Sequence, residues 1–352
     1  MTPLGELLIR RIRATGPITV ADYMAECLLH PTLGYYTTRE PFGAQGDFIT
    51  APEISQMFGE LIGLCLAQCW LDQGAPAPFT LAEVGPGRGT LMADLLRATR
   101  NVPGFYAAAR ITLIEASPRL RALQRKTLGD HPAEWTDSLD DLPEAPLFLV
   151  ANEFFDALPI RQFIRHAQGW QERVIGVQDD RLAFGLTPPA PLALLDHRLA
   201  DTTPGALVEH CPALPALTGA IAHRIASHGG AALIVDYGGW RSLGDTLQAL
   251  RGHAPADPLV APGEADLTAH VDFEAIARAA APAAASRLTP QGVFLERLGI
   301  TARAERLATG LSGPTLASHI AAHRRLTHPK EMGTVFKVLA LHPAGHTPPG
   351  VD

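Results

Sequence analysis

Three glycines at alternate positions follow an apolar hexapeptide. The run Phe79 to Val84 leads into Gly85-Pro86-Gly87-Arg88-Gly89, and Thr90 opens a helical pattern. Such a turn lets a ligand approach the backbone, and the helix start behind it offers unpaired N–H groups. A P-loop is excluded, because no Lys-Ser/Thr pair follows the last glycine. A dinucleotide loop would space its glycines G-x-G-x-x-G around a pyrophosphate. Here the spacing is G-x-G-x-G, and Glu83 stands two residues before the first glycine. A carboxylate there would repel a pyrophosphate and suit a ligand with cationic groups. S-adenosyl-L-methionine has an ammonium, a sulfonium and no phosphate, and is preferred to a nicotinamide cofactor. Gly85, Pro86, Gly87 and Gly89 are expected to line it. The next apolar run ends in Glu115, an acceptor for both ribose hydroxyls of an adenosine. The run after that ends near Asp137 and Ser138, expected at the adenine edge.

A fourth apolar run, Leu147 to Ala151, ends in Asn152-Glu153-Phe154-Phe155-Asp156. This end would face the transferable methyl, so Asn152 is expected at the cofactor and the two carboxylates at the methyl acceptor. Positioning supplies much of the rate in such a transfer. An oxygen or thiol acceptor would need a nearby His or Lys base, and this segment has neither. Paired carboxylates suit a guanidinium, which is planar, always charged and gripped bidentately. They would also stabilise the charge of the alkylated product. The competing reading has Glu153 and Asp156 capping a short helix while both phenylalanines pack the core.

These residues must be held by an alternation of strands and helices. "FTLAEV", "ITLIEA", "APLFLVANE", "GAALIVDYG" and "GTVFKVLALHP" read as strands, with "TLMADLLRAT", "PRLRALQRKTL", "ALTGAIAHRIASHG" and "FEAIARAAAPA" as helices between them. That order implies an α/β fold with a mostly parallel sheet and ligands at the carboxyl ends of its strands. Two stretches break the pattern. "FIRHAQGWQERVIGVQDDRLAFGL" alternates like added hairpins, and "LQALRGHAPADPLVAPGEADLTAHVDF" is a Pro/Gly-rich excursion. The expected domains are an N-terminal helical cap over 1–75 and a transferase domain over 76–352, with inserts at about 157–215 and 240–272.

With 352 residues, 47% of them hydrophobic, the chain can bury a large core. A net charge of −7 argues against a nucleic-acid binder. No apolar run is long enough to span a bilayer, so no membrane insertion is expected. Cys27, Cys65, Cys69 and Cys211 form no Cys-x-x-Cys pair, which reads as core thiols in a reducing cytoplasm. The N-terminus has basic residues like a presequence. Glu6 is out of place in one, and the segment runs into the first expected helix.

Taken together, "GPITVADYMAECLLHPTLGYYTT", "PFGAQGDFITAPEISQMFGELIG", "EVGPGRGTLMADLLR", "ANEFFDALPI", "DYGG", "PGEADLTAHVDF" and "MGTVFKVL" resemble the MidA-like family. The resemblance covers about Ile18 to Leu339 and implies a Rossmann-like class I methyltransferase dependent on S-adenosyl-L-methionine. It also implies methylation of protein arginine, on a core subunit of respiratory complex I during assembly. A small-molecule methyltransferase and a cofactor-binding assembly chaperone stay open as alternatives. In "GDFITAPE" the polar, constrained turn is expected to fold over the cofactor, with Asp47 or Thr50 near its methionine end and Glu53 near the acceptor. Asp236 ends a strand as a secondary site residue. Asp266, His270 and Asp272 have metal-like spacing, but methyl transfer needs no metal, and a hydrogen-bonded corner is expected.

Overall fold

The structure, a computed structural model, describes residues 1–38 and 49–351. The chain divides into two compact units. One comprises Ile49–Phe155, Pro215–Gly238 and Phe273–Asp352; the other comprises Met1–Phe48, Asp156–Leu214 and Gly239–Asp272.

The first unit is built on a sheet whose main strands are β1 (Phe79–Val84), β2 (Ala109–Ile114), β3 (Ala133–Thr136), β4 (Leu147–Asn152), β5 (Gly230–Gly239) and β6 (Phe336–His342). Their spatial order is β3-β2-β1-β4-β5-β6, and Ala284–Ala285 pairs beyond β6. The strands β1 to β5 pair in parallel and β6 returns antiparallel, with Ala232 opposite Leu341. All six residues of β1 and of β4 are buried, as central strands covered on both faces must be. On one face Phe79 packs against Trp70, Phe105 and Phe148 at ring-centroid distances of 5.8, 5.0 and 5.2 Å. Fully burying a side chain of this kind stabilises the fold by roughly 1.5–3 kcal/mol.

The helix Gln56–Asp72 belongs to this unit, and so divides the cap expected over 1–75. It is apolar on most of its circumference: Met57, Phe58, Leu61, Ile62, Cys65, Leu66, Cys69 and Trp70 are all buried in the same core as β1 and β4. A narrow strip with Leu64, Gln68, Leu71 and Asp72 is exposed, and a helix buried on most of its surface belongs to a domain core. Ser55 starts it by accepting from the Met57 N–H at 3.2 Å.

The second unit holds an antiparallel sheet in which Arg161–His166, Gly169–Gln178 and Arg181–Leu186 are consecutive hairpin strands. Ile18–Thr19 and Leu207–His210 pair at its edges. Gln248–Arg251, Ala254–Ala256 and Asp266–Thr268 form a further small sheet. The helices Pro3–Thr15 and Val20–Leu29 supply Leu4, Leu8, Ile12, Val20, Tyr23 and Met24 to this unit's own core. A reciprocal capping box between Thr19 and Asp22 fixes where the second helix begins.

Candidate active site

Strand register aligns the chemistry. Val84 lies beside Ile114 and Ala151, Ile114 beside Thr136, and Asn152 beside Val235. The residues that follow these strand ends, Gly85, Glu115, Asp137 and Glu153, therefore emerge along one edge of the sheet. Three backbone bonds carry the pairing one step further: Gly85 N to Ile114 O at 3.1 Å, Glu115 N to Thr136 O at 3.0 Å and Glu153 N to Val235 O at 2.9 Å.

The glycine loop closes through Gly89 N donating to Pro86 O at 2.7 Å, with Pro86 buried. Gly85 has φ +63, and a Cβ there would lie 2.8 Å from Cδ2 of Phe154. Gly89 has φ +80, and a Cβ there would meet Gln124 only in ordinary van der Waals contact at 3.4 Å. Both glycines thus meet a conformational demand, and Gly85 a steric one as well. Phe154 rests on Gly85, and Phe155 is buried at its edge with ring centroids 5.4 Å apart.

Glu83 is buried, and that burial pushes its carboxyl up to about 8; the backbone N–H of Met92 pulls the other way. Met92 lies in the first turn of the helix Thr90–Thr99, so Glu83 answers one of that helix's unpaired donors. This revises the electrostatic argument from sequence, because at neutral pH the group is mostly protonated and would repel little. Its Oε2 is buried with no partner among the described residues, as is Oδ1 of Asn152.

Glu115 is half-buried. Burial raises its pKa, while the Ser117 N–H (2.8 Å to Oε1), Gln124 Nε2 (3.2 Å to Oε2) and the Arg121 charge oppose the rise. Asp137 is turned outward, its side chain 74% exposed and ion-paired with Arg121. The Ser138 hydroxyl accepts from the Asp140 N–H at 3.1 Å and caps a short turn.

Glu153 adopts φ +51, a left-handed conformation uncommon for a residue with a Cβ. Its Oε1 accepts from the Ala51 N–H at 3.0 Å and from Asn152 Nδ2 at 3.2 Å. Asp236, expected to end a strand, lies fully buried within β5, which runs on to Gly239, and accepts from the Phe155 and Tyr237 N–H groups, both at 2.9 Å. It thereby holds the turn that carries Glu153. Thr50 caps the short helix Ala51–Ile54 without a side-chain bond to it. Glu53, expected beside the acceptor, bonds to the Thr90 hydroxyl at the start of the glycine-loop helix. Asp47 lies outside the described residues.

Asp156 belongs to the second unit, where it is buried and its carbonyl accepts from the Ala269 N–H at 2.9 Å. In that unit burial, followed by the Asp266 and Asp156 carboxylates, raises the pKa of Tyr36, whose hydroxyl donates to Asp266 at 2.8 Å. Asp272 accepts from the Ser242 N–H at 3.0 Å, and the His270 N–H donates to the Thr246 hydroxyl at 2.8 Å. Among the described residues no group of three or more His, Cys, Asp or Glu side chains is placed to hold a metal ion.

Sequence reasoning missed Gln124 and Arg121. Gln124 is fully buried, donating to Gly87 O at 2.8 Å as well as to Glu115, and accepting from the Trp135 indole at 2.8 Å. Arg121 Nε donates to Glu115 O at 2.6 Å. The signal for Gln124 was present: it stands between Leu120 and Leu128 on the buried stripe of its helix, a polar residue in an apolar position.

The family model for putative S-adenosyl-L-methionine-dependent methyltransferases matches residues 61–291. The chain belongs to the MidA-like family of these methyltransferases. Its cofactor is S-adenosyl-L-methionine. The mouse protein named protein arginine methyltransferase NDUFAF7, mitochondrial, is 38% identical over 97% of this chain and 85% of its own length. The human protein of the same name is 38% identical over 97% of this chain and 84% of its own. A crystal structure from Burkholderia thailandensis, bound to S-adenosyl-homocysteine, superposes with TM-score 0.82 at 31% identity. It covers 99% of this chain and 92% of that one. The expectation of a cytoplasmic location is corrected here, since these curated relatives are named mitochondrial proteins. The four cysteines are free and do not identify a compartment. No helix among the described residues is long and apolar enough to cross a membrane.

The residues present fit the cofactor. A glycine turn opens the backbone, Glu115 offers a carboxylate already oriented by two donors, and two buried oxygens still lack partners on the described chain.

Proposed function

We propose that this methyltransferase acts on arginine in a partner protein, with a subunit of respiratory complex I, during its assembly, as the substrate. The supporting observation is Glu153: a carboxylate at the end of β4, in a left-handed backbone conformation, with Oε1 fixed by the Ala51 and Asn152 donors. The relatives' names, protein arginine methyltransferase, support the arginine part of this reading. Strained backbone at a strand end persists only where its surroundings enforce it, and such positions gather at active sites.

When bound, the cofactor supplies the methyl group from a sulfonium. Glu153 holds the guanidinium so that a nitrogen lone pair faces that methyl, and its charge stabilises the cationic product until a proton leaves. Asp156, the second carboxylate expected from the sequence, belongs to the other unit, and the reading rests on Glu153. Glu115 receives the ribose hydroxyls, with Ser138 toward the adenine, while Asp137 is turned to solvent and Arg121. Gly85, Pro86, Gly87 and Gly89 form the floor, and Glu83 steadies the helix start behind it. Asn152 and Thr50 serve the methionine end, and Glu53 ties the Thr50 segment to Thr90.

The test uses methyl-labelled S-adenosyl-L-methionine and a lysate from cells lacking the protein, followed by hydrolysis of labelled protein to amino acids. Label recovered as methylarginine from one protein band supports the reading. Label confined to small molecules, or to another amino acid, rejects it.

A further inference from the structure

Gln124 is the one fully buried carboxamide on the stripe Leu120-Gln124-Leu128, and its two ends face different parts of the site edge. Its Nε2 donates to the carbonyl of Gly87 inside the glycine loop at 2.8 Å and to Oε2 of Glu115 at 3.2 Å. Its Oε1 accepts from the Trp135 indole on β3 at 2.8 Å. One side chain therefore joins the loop after β1, the carboxylate after β2 and an indole of β3. Gly89, at φ +80 in the same loop, lies directly beside the Gln124 side chain. A carboxamide in an apolar stripe loses solvation, and only satisfied hydrogen bonds offset that loss.

We infer that Gln124 is a positioning residue for the cofactor: it sets the Gly87 carbonyl and the Glu115 carboxylate at a fixed separation, so that loop and ribose acceptor meet the adenosine together. This rests on the reading of Glu115 as the ribose acceptor. Gln124 touches the cofactor only through those two groups. A charged or hydroxyl side chain in its place could not both donate to two oxygens and accept from an indole. The Nε2 donor also favours the ionised form of Glu115, together with the Ser117 N–H and the Arg121 guanidinium. Arg121 is shared with the exposed Asp137.

The test is Gln124→Met, which keeps the length and suits an apolar stripe, so the helix is retained. Titration of the purified protein with S-adenosylhomocysteine should show about tenfold or weaker binding at pH 7, the range for a lost hydrogen bond to a charged group. The KM for S-adenosyl-L-methionine should rise by a similar factor while kcat stays within about twofold. Raising the pH should recover part of the binding, because the loss of a donor leaves Glu115 harder to ionise. A pH-independent loss accompanied by a lower unfolding midpoint would mean that Gln124 only packs, and would overturn the inference. So would unchanged affinity. Glu115→Gln separates the two readings. If it binds S-adenosylhomocysteine like the parent, the ribose assignment fails; if it loses binding while Gln124→Met does not, only the inference fails.

Discussion

Replacing Glu83 with Gln should stabilise the cofactor-free protein, and by an amount that depends on pH. The parent carboxyl is buried and pushed from an ordinary 4.5 up to about 8. Below pH 4.5 both folded and unfolded chains hold the proton, and the group costs nothing. Between 4.5 and 8 the unfolded chain releases a proton that the fold retains. Parent stability therefore falls by about 1.4 kcal/mol per pH unit across that window. The accumulated loss is about 3 kcal/mol at pH 7 and levels off near 5 kcal/mol above pH 8. Glutamine keeps the shape and an oxygen for the Met92 N–H but does not titrate. Asp94, which burial pushes up to about 6, and Glu115 also favour the fold at low pH, but they are common to both proteins and cancel in the difference. Urea midpoints measured from pH 4.5 to 8.5 should diverge steadily as pH rises. If the whole chain unfolds together, the pH 7 difference corresponds to about 4 °C in Tm. Parallel curves would refute the reasoning, because they would mean that the fold carries Glu83 ionised.

Three further outcomes follow from the same geometry. Gly85→Ala places a Cβ 2.8 Å from Phe154 at φ +63, and should cost roughly 1–3 kcal/mol in unfolding midpoint and weaken cofactor binding. Asp236→Ala orphans the Phe155 and Tyr237 N–H groups and should lower stability by about 2–4 kcal/mol, while loosening the turn that carries Glu153. Methyl transfer in that variant should fall further than S-adenosylhomocysteine affinity, a comparison that two titrations and one rate measure. Phe79→Ala, at the centre of the aromatic cluster, should cost about 3–5 kcal/mol, visible as a lower urea midpoint.

The strands around the site were legible because each is a short apolar run bounded by turn residues, and "FTLAEV" coincides with β1 from Phe79 to Val84. The helix Pro118–Leu128 could be read to the residue, since Ser117 caps it, Pro118 opens it and Gly129 closes it. The helix Gln56–Asp72 was misassigned to a cap because its chain position suggested one, whereas its buried faces place it in the core of the transferase unit. Asp137 ends the expected strand, but its side chain turns to solvent and Arg121, a choice that strand periodicity does not encode. Glu153 was visible as a residue type at a strand end. Its positive φ and its bond to Ala51 depend on tertiary contacts about a hundred positions apart in sequence. The protonation of Glu83 likewise depends on how completely it is enclosed, which no local pattern states.

The central claim is that Glu153 serves the methyl acceptor and not the cofactor, and Glu153→Ala tests it most directly. S-adenosylhomocysteine affinity and single-turnover methyl transfer to the protein acceptor would be measured on the same preparation, beside the parent. The account predicts affinity within a few-fold and transfer reduced about a hundredfold or more, the scale of losing a group that orients the reactant. Transfer retained at the parental rate would contradict it, and so would a loss of affinity equal to the loss of rate.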